Sequence, residues 1–218
     1  MPSSTVENYV KEILLAEQEL GGAYVPMGTV AKALDVTPGK ATAMLKSLAS
    51  SGLADYEPRH GAKLTDKGRE LALRVLRKHR IVEAYLVGEL GLDWSEVHVE
   101  AEKLEHSISE RVLDRMDAKL GHPTTDPHGY PIPGAGGSFE VRKLTSLAES
   151  PCGKKYTIER VGDQSAEFLQ FLNERQLRPG ASILLMSRSE AANVVTLENE
   201  SGRTITMGLK AAEKVFVS

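Results

Sequence analysis

Apolar residues recur at helical spacing through the first 120 positions and fall into short β-prone runs in the last third. Val6, Tyr9, Val10, Ile13 and Leu14 share one face of a first helix, which Gly21-Gly22 should stop. The stretch MGTVAKALDVTPGKATAMLKSLASSGL predicts a short helix over 29–34, a tight turn at 35–37 and a second helix closed by Gly52. Thr37 is the natural cap of that second helix and Pro38 suits its first turn. Two strand-like pieces over 53–64, around Pro58 and Gly61, predict a hairpin. A long helix follows from Arg69 to about Leu90, and a further one from Ser95 to about Leu120.

Residues 121–137 contain four prolines and five glycines, so no helix survives there and a boundary is expected, partly extended in polyproline style. Beyond it, β-prone pieces at 155–161, 181–186, 193–197, 204–209 and 214–217 surround one helical piece at 165–176, the pattern of a small β-barrel-like domain. The expected class is therefore mainly α with a small β part.

Composition adds little to this until charge is taken by segment. With 41% apolar and 26% charged residues the chain is ordinary globular material. Its one cysteine, Cys152, cannot close an internal disulfide; no apolar run approaches membrane-spanning length, and MPSSTVENYV is unlike a secretion signal. A soluble, reducing, cytoplasmic setting is expected, with no membrane partner. The net charge of −3 argues against a nucleic-acid partner only as an average: residues 21–80 carry 11 basic and 5 acidic groups, residues 81–130 carry 4 basic and 11 acidic. A basic block beside an acidic one suggests a polyanion for the first and a cation for the second.

The helix pair plus hairpin is the layout of a winged helix-turn-helix, in which short polar and basic side chains on the first turns of a rigid helix reach base edges. Thr37, Pro38, Lys40, Thr42 and Lys46 supply that surface, with Thr5 on the first helix and Arg59, His60 and Lys63 on the wing available to phosphates. A chain this weakly basic should bind double-stranded DNA as a homodimer on a palindromic operator.

In the acidic block His98, Glu102, Glu105 and His106 stand at i, i+4, i+7 and i+8, within about 100° of one helix face. His79 and Glu83 are i, i+4 on the preceding helix. Carboxylates gathered between packed helices repel unless protons or a cation neutralise them. An all-nitrogen-and-oxygen set favours Mn2+ or Fe2+ over a structural zinc. Two other classes are open on the residues alone: a winged-helix sensor of an organic ligand, and a di-metal carboxylate enzyme. The enzyme is disfavoured because no duplicated Glu-x-x-His pair, phosphate loop or nucleophile motif is present.

With RKHR at 77–80, LEH at 104–106 and HGYPIPG at 128–134, in that order and spread over nearly the whole chain, the sequence resembles the diphtheria toxin repressor family of metalloregulators, which includes iron-dependent and manganese transport regulators. The resemblance implies a winged helix-turn-helix DNA-binding domain over 1–74, a helical dimerisation and metal-binding domain with a proline-rich linker over 75–139, and an SH3-like domain over 140–218. It implies an ancillary metal set of His79, Glu83 and His98, and a primary set of Glu102, Glu105 and His106 completed by Asn8 from the first helix. It further implies ancillary ligands from the SH3-like domain, for which Asp163 and Glu167 are the nearest candidates, and docking of the linker on that domain. Glu102 and Asn8 stand where iron-responsive members carry Cys and Met, so Mn2+ is expected, with Fe2+ the alternative. Lys11 stands where some manganese regulators place a further Glu. The expected role is a metal-dependent repressor in metal homeostasis, not an enzyme, with no organic substrate.

Overall fold

The computed structural model describes residues 2–140 and 142–218. The chain divides into two compact units, one made of Met1–His79, Lys103–Ser109 and Pro133–Phe139, the other of Arg80–Glu102, Glu110–Ile132 and Glu140–Ser218.

The first unit begins with α1 (Ser4–Glu19), α2 (Met27–Ala33) and α3 (Pro38–Ser50), followed by β1 (Ala54–Glu57) and β2 (Gly61–Leu64). Ser3 caps α1 by accepting from the Val6 N–H, and Thr37 caps α3 by accepting from the Lys40 N–H, both at 3.4 Å. A cap of this kind contributes about 1 kcal/mol. Tyr9, Val10, Ile13 and Leu14 are all buried, as their shared helix face requires, and pack with Val25, Val30, Leu45, Leu48 and Leu76. β1 and β2 pair antiparallel with Ala54 opposite Leu64, and Val25 adds a bridge to Ala62. The first part of α4 (Asp66–Gly88) lies close against the base of this hairpin. A Cβ at Gly68 would stand 1.9 Å from the Leu53 carbonyl oxygen, so only glycine permits that approach. The buried Glu17 fastens the same corner: Oε1 accepts from the Leu64 N–H at 2.6 Å and Oε2 pairs with Arg69.

The second unit holds the end of α4, α5 (Val97–Leu104) through Glu102, and α6 (Glu110–Lys119). Its antiparallel sheet of β3 (Thr145–Ser146), β4 (Lys154–Val161), β5 (Ser182–Ser189), β6 (Val194–Asn199), β7 (Thr204–Gly208) and β8 (Val215–Val217) runs in the order β3-β8-β4-β5-β6-β7. Bulges between Ile158 and Arg160 and between Leu185 and Ser187 bend β4 and β5, as a small SH3-like sheet needs. The sheet, α7 (Ala166–Asn173) and α8 (Leu209–Ala212) enclose a core of Leu147, Ile158, Leu169, Leu172, Leu185, Val195 and Leu197, into which Trp94 also packs.

The helix expected over 95–120 is two helices, and this corrects the continuous donor face read from spacing. α5 starts at Val97 because Asp93 Oδ1 accepts from both the backbone N–H and the hydroxyl of Ser95, making a turn there. It stops at Leu104 before His106-Ser107-Ile108-Ser109, where serines compete for backbone bonds and a β-branched residue lowers helix propensity. Lys78 Nζ donates to the Ile108 carbonyl at 3.2 Å, satisfying backbone that a helix would otherwise have used. His98 and Glu102 remain one turn apart on α5, whereas Glu105 and His106 occupy the turn after it.

Candidate functional site

In the first unit the side chains of α1 and of the 105–106 turn form a buried polar cluster. Glu105 is fully buried; its Oε1 accepts from Lys11 Nζ at 2.8 Å and its Oε2 lies 2.6 Å from His79 Nδ1. Burial pushes the Glu105 carboxyl upward, but the hydrogen bond from His79 and the charge of Lys11 outweigh it and hold the group below the usual carboxylate range. His106 Nδ1 meets Glu7 Oε2 at 2.6 Å, while its Nε2, 3.4 Å from Glu105 Oε1, is buried without a hydrogen bond. Asn8 Oδ1 is likewise buried and makes none.

Glu7 and Lys11 are what spacing alone undervalued. Both follow from the α1 register, since Glu7, Asn8 and Lys11 fall on adjoining positions of one helical turn.

In the second unit Glu83 is fully buried on α4, and its Oε1 lies 3.2 Å from His98 Nδ1. His98 Nε2 stands 3.9 Å from Glu102 Oε1. The loop over 124–132 brings two further titratable residues, Asp126 and His128, to Glu83; the three can offer ligand atoms within 4.8 Å of one another. Their spacing around Pro127, in a loop whose prolines and glycine restrict the backbone, was the available signal.

That loop is fixed to the β domain: the Val161 N–H donates to the His128 carbonyl at 2.9 Å, and Tyr130 has the guanidinium groups of Arg80 and Arg160 each 5.2 Å from its ring centre. Gly129, at φ 87°, sits so close to β4 that a Cβ would lie 1.9 Å from the Glu159 carbonyl oxygen. Asp163 and Glu167 lie elsewhere in this unit, lining a cleft of about 530 Å³ with Phe168 and Lys214. Asp163 accepts from Lys214 Nζ at 2.5 Å and from the Ser165 N–H at 2.8 Å. Burial raises this carboxyl, and those partners more than reverse the shift. Among the described residues neither Asp163 nor Glu167 joins a His/Asp/Glu cluster.

On the helix-turn-helix, Thr37, Pro38, Lys40 and Lys46 are exposed along α3, Thr5 is exposed on α1 and Arg59 at the hairpin tip. Two of the threonines have structural work: Thr37 caps α3, and the Thr42 hydroxyl donates to the Pro38 carbonyl at 2.9 Å. The exposed lysine ammonium groups offer donors on this face, and the threonine oxygens keep acceptor capacity.

Three family models match the chain in order. They are the iron dependent repressor N-terminal DNA binding domain over residues 1–62, the iron dependent repressor metal binding and dimerisation domain over 65–134, and the FeoA domain over 145–218. The iron-dependent repressor IdeR of Mycobacterium tuberculosis is 32% identical, over 97% of this chain and 91% of its own length. The diphtheria toxin repressor of Corynebacterium efficiens is 31% identical over 92% of this chain and 86% of its own. A solved manganese-dependent transcriptional repressor in complex with manganese superimposes with a TM-score of 0.88 at 34% identity, covering 98% of this chain and 99% of that one. With that identity over almost its full length, on top of the winged helix, the His/Glu clusters and the SH3-like sheet, the chain belongs to the diphtheria toxin repressor and iron-dependent repressor family of transcriptional repressors.

Proposed function

We infer that this protein is a metal-dependent repressor that grips double-stranded operator DNA as a homodimer when a divalent ion, Mn2+ in the first instance, is plentiful. The observation that carries the metal reading is the pair of orphaned buried atoms, Asn8 Oδ1 and His106 Nε2, on two residues of the primary set. Buried polar atoms without partners cost about 1–3 kcal/mol each, and a cation is what an amide oxygen and an imidazole nitrogen beside a carboxylate accept. Donor chemistry therefore fits. The primary set would be Asn8, Glu102, Glu105 and His106; the ancillary set would be His79, Glu83 and His98, joined by Asp163, once it leaves Lys214 and Ser165, or by Glu167. Bound there, a dication supplies the positive charge that the acidic residues lack. The side chains do the rest: Asn8 and Glu7 on α1 and Glu105 and His106 after α5 hold these elements at one setting, which fixes α3.

The division of labour proposed is that residues 1–74 read DNA and lend Asn8 to the metal, 75–139 supply the other metal ligands and the dimer contact, and 140–218 add an SH3-like support. Exposed Leu90, Val99 and Val112 supply apolar surface suited to a second copy. Oxygen donors at Asn8 and Glu102, in place of thioether and thiol, support Mn2+ over Fe2+. The two-fold symmetry of such a homodimer would make the operator palindromic, with half-sites about one DNA turn apart.

Operator binding followed by electrophoretic shift across buffered free Mn2+ and, anaerobically, Fe2+ tests this directly. Affinity should rise about a hundredfold with the ion, a coupling of roughly 3 kcal/mol. The Glu102→Ala variant should lose that rise and keep its fold. A variant whose binding stays fully metal-dependent refutes the primary set, and chelator-insensitive binding by the intact chain refutes the whole reading. Lys40→Ala and Lys46→Ala should each weaken binding to all sequences and reduce the slope of log affinity against log salt by about 0.9 per lost phosphate contact. An unchanged slope would remove that lysine from the interface.

A further inference from the structure

We propose that Lys11 is a specificity-determining residue of the metal switch. Its ammonium is a tethered cation on Glu105 that an incoming divalent ion must evict, which raises the concentration every ion needs and keeps Mg2+ out. The inference rests on the metal-dependent reading above and adds to it a residue that opposes binding.

The first support is a shared atom. Lys11 Nζ donates to Glu105 Oε1 at 2.8 Å, and His106 Nε2 stands 3.4 Å from that same oxygen. Glu7 Oε2 lies 2.6 Å from His106 Nδ1, and a carboxylate only accepts, so Nδ1 carries the hydrogen. In the neutral ring Nε2 then holds a lone pair, buried and without a hydrogen bond, beside an oxygen already taken. A dication on this nitrogen and this oxygen would meet the ammonium on its own ligand, and like charges at that range repel.

The second support is burial. The Lys11 side chain is 2% exposed and that of Glu105 not at all, so salt and water screen neither charge. An exposed lysine would swing aside at little cost, whereas this one gives up a buried, charge-assisted hydrogen bond. Nor can it diffuse away. Lys11 follows Asn8 by three residues and Glu7 by four, so α1 carries the competing cation on the same side as two residues of the cluster and its local concentration is fixed by the helix. Glu7 is also where the displaced ammonium can go, since that carboxylate is one helical turn away and partly exposed.

Selectivity follows from a cost common to all ions. Oxygen donors such as Asn8 and Glu105 suit Mg2+ as well as Mn2+. Eviction of the ammonium weakens both by the same factor, leaving the ratio of their affinities unchanged. The ion with less to gain is then lost first: Mg2+ gives up its water reluctantly, while Mn2+ keeps the further attraction of the His106 nitrogen.

Equilibrium dialysis of the full chain against Mn2+ compares the unaltered protein with Lys11→Met, Lys11→Gln and Lys11→Arg. Removing the charge should tighten one Mn2+ equivalent by about 10–100-fold, the range that a hydrogen bond to a charged group spans, with stoichiometry unchanged. Lys11→Arg keeps the charge and should bind like the unaltered protein. Millimolar Mg2+ should raise the thermal midpoint of Lys11→Met and leave that of the unaltered protein where it was; a Lys11→Met protein indifferent to Mg2+ overturns the selectivity claim. A lysine that merely props Glu105 in place gives the opposite sign, weaker Mn2+ binding in Lys11→Met and Lys11→Gln, and that result or unchanged affinity overturns the proposal. Should Lys11→Met fail to fold, Lys11→Gln retains an amide donor for Glu105 without the charge and decides the question. Crystals of the unaltered chain grown with Mn2+ give a check free of variants: Lys11 Nζ should have left Glu105 Oε1, and an ammonium still 2.8 Å from that oxygen beside an ion bound to Glu105 overturns the eviction. No Mn2+ uptake by any of these proteins removes the metal-dependent reading itself, whereas uptake indifferent to the charge at position 11 removes this inference alone.

Discussion

Glu105→Ala should lower the unfolding free energy of the metal-free protein by about 3–5 kcal/mol, the usual consequence of breaking a buried ion pair from one side. Lys11 is 2% exposed and Glu105 fully buried, so water cannot take over solvation of the ammonium once this carboxylate is gone. His79 loses its 2.6 Å contact in the same change. Replacing both partners is a different matter: Lys11→Met with Glu105→Leu should recover most of the loss, since an apolar pair of similar volume has no desolvation to offset. The pH dependence has a defined sign. The Glu105 carboxyl is held below its ordinary range in the fold, so its contribution is present above that range and disappears as pH falls through the folded value. Urea unfolding of the unaltered protein and the variant at neutral and at acid pH should show the gap narrowing on acidification; a constant gap would mean the pair is not what stabilises this corner. The same ammonium occupies the Glu105 oxygen that His106 Nε2 approaches at 3.4 Å, and Lys11→Met should therefore also tighten Mn2+ binding.

Glu17→Ala is the second large effect expected, about 3 kcal/mol. Glu17 lies 2% exposed, and its loss leaves the Leu64 N–H at the hairpin end without its acceptor, which by itself costs about 1–3 kcal/mol. The remainder comes from Arg69, whose partly exposed guanidinium is rehydrated and so adds less than a fully buried partner would. Glu17→Gln keeps an acceptor for Leu64 and should lose no more than half as much. Because Glu17 ties the wing to α4, hydrogen exchange of the Leu64 amide should accelerate in Glu17→Ala well before the α3 amides do. Equal acceleration throughout would point to global unfolding instead.

Where residue periodicity settles an element, the chain was easy to read: the α1 stripe from Val6 to Leu14, the Thr37-Pro38 start of α3, the hairpin around Arg59 and the β-prone runs after residue 150 each have one reason to be what they are. The break after Leu104 was hidden, because 98, 102, 105 and 106 satisfy helical spacing perfectly and only the Ser107-Ile108-Ser109 run argues otherwise. Donor types were visible while pairings were not. Nothing in the order of residues says that the Lys11 ammonium shares Glu105 with His79, or that His106 turns to Glu7, since these are contacts between segments some 26 to 99 positions apart. The loop at 124–132 gave the least warning. Prolines and glycines announce irregular backbone, yet here they make a tightly built piece in which Asp126 caps two amides and His128 is stacked and buried.

The compact unit that carries α3 is not one contiguous stretch: it recruits Lys103–Ser109 and Pro133–Phe139 from far downstream. Cutting the gene after codon 79 would therefore not liberate a working DNA-reading head. Such a fragment would keep Lys11, Asn8 and Glu7 while surrendering Glu105 and His106, so its α1 would carry an interior ammonium stripped of that counter-charge. Modular as the family models make the chain look, excision here ought to yield insoluble or molten material, and useful dissection will come from point changes in the intact polypeptide.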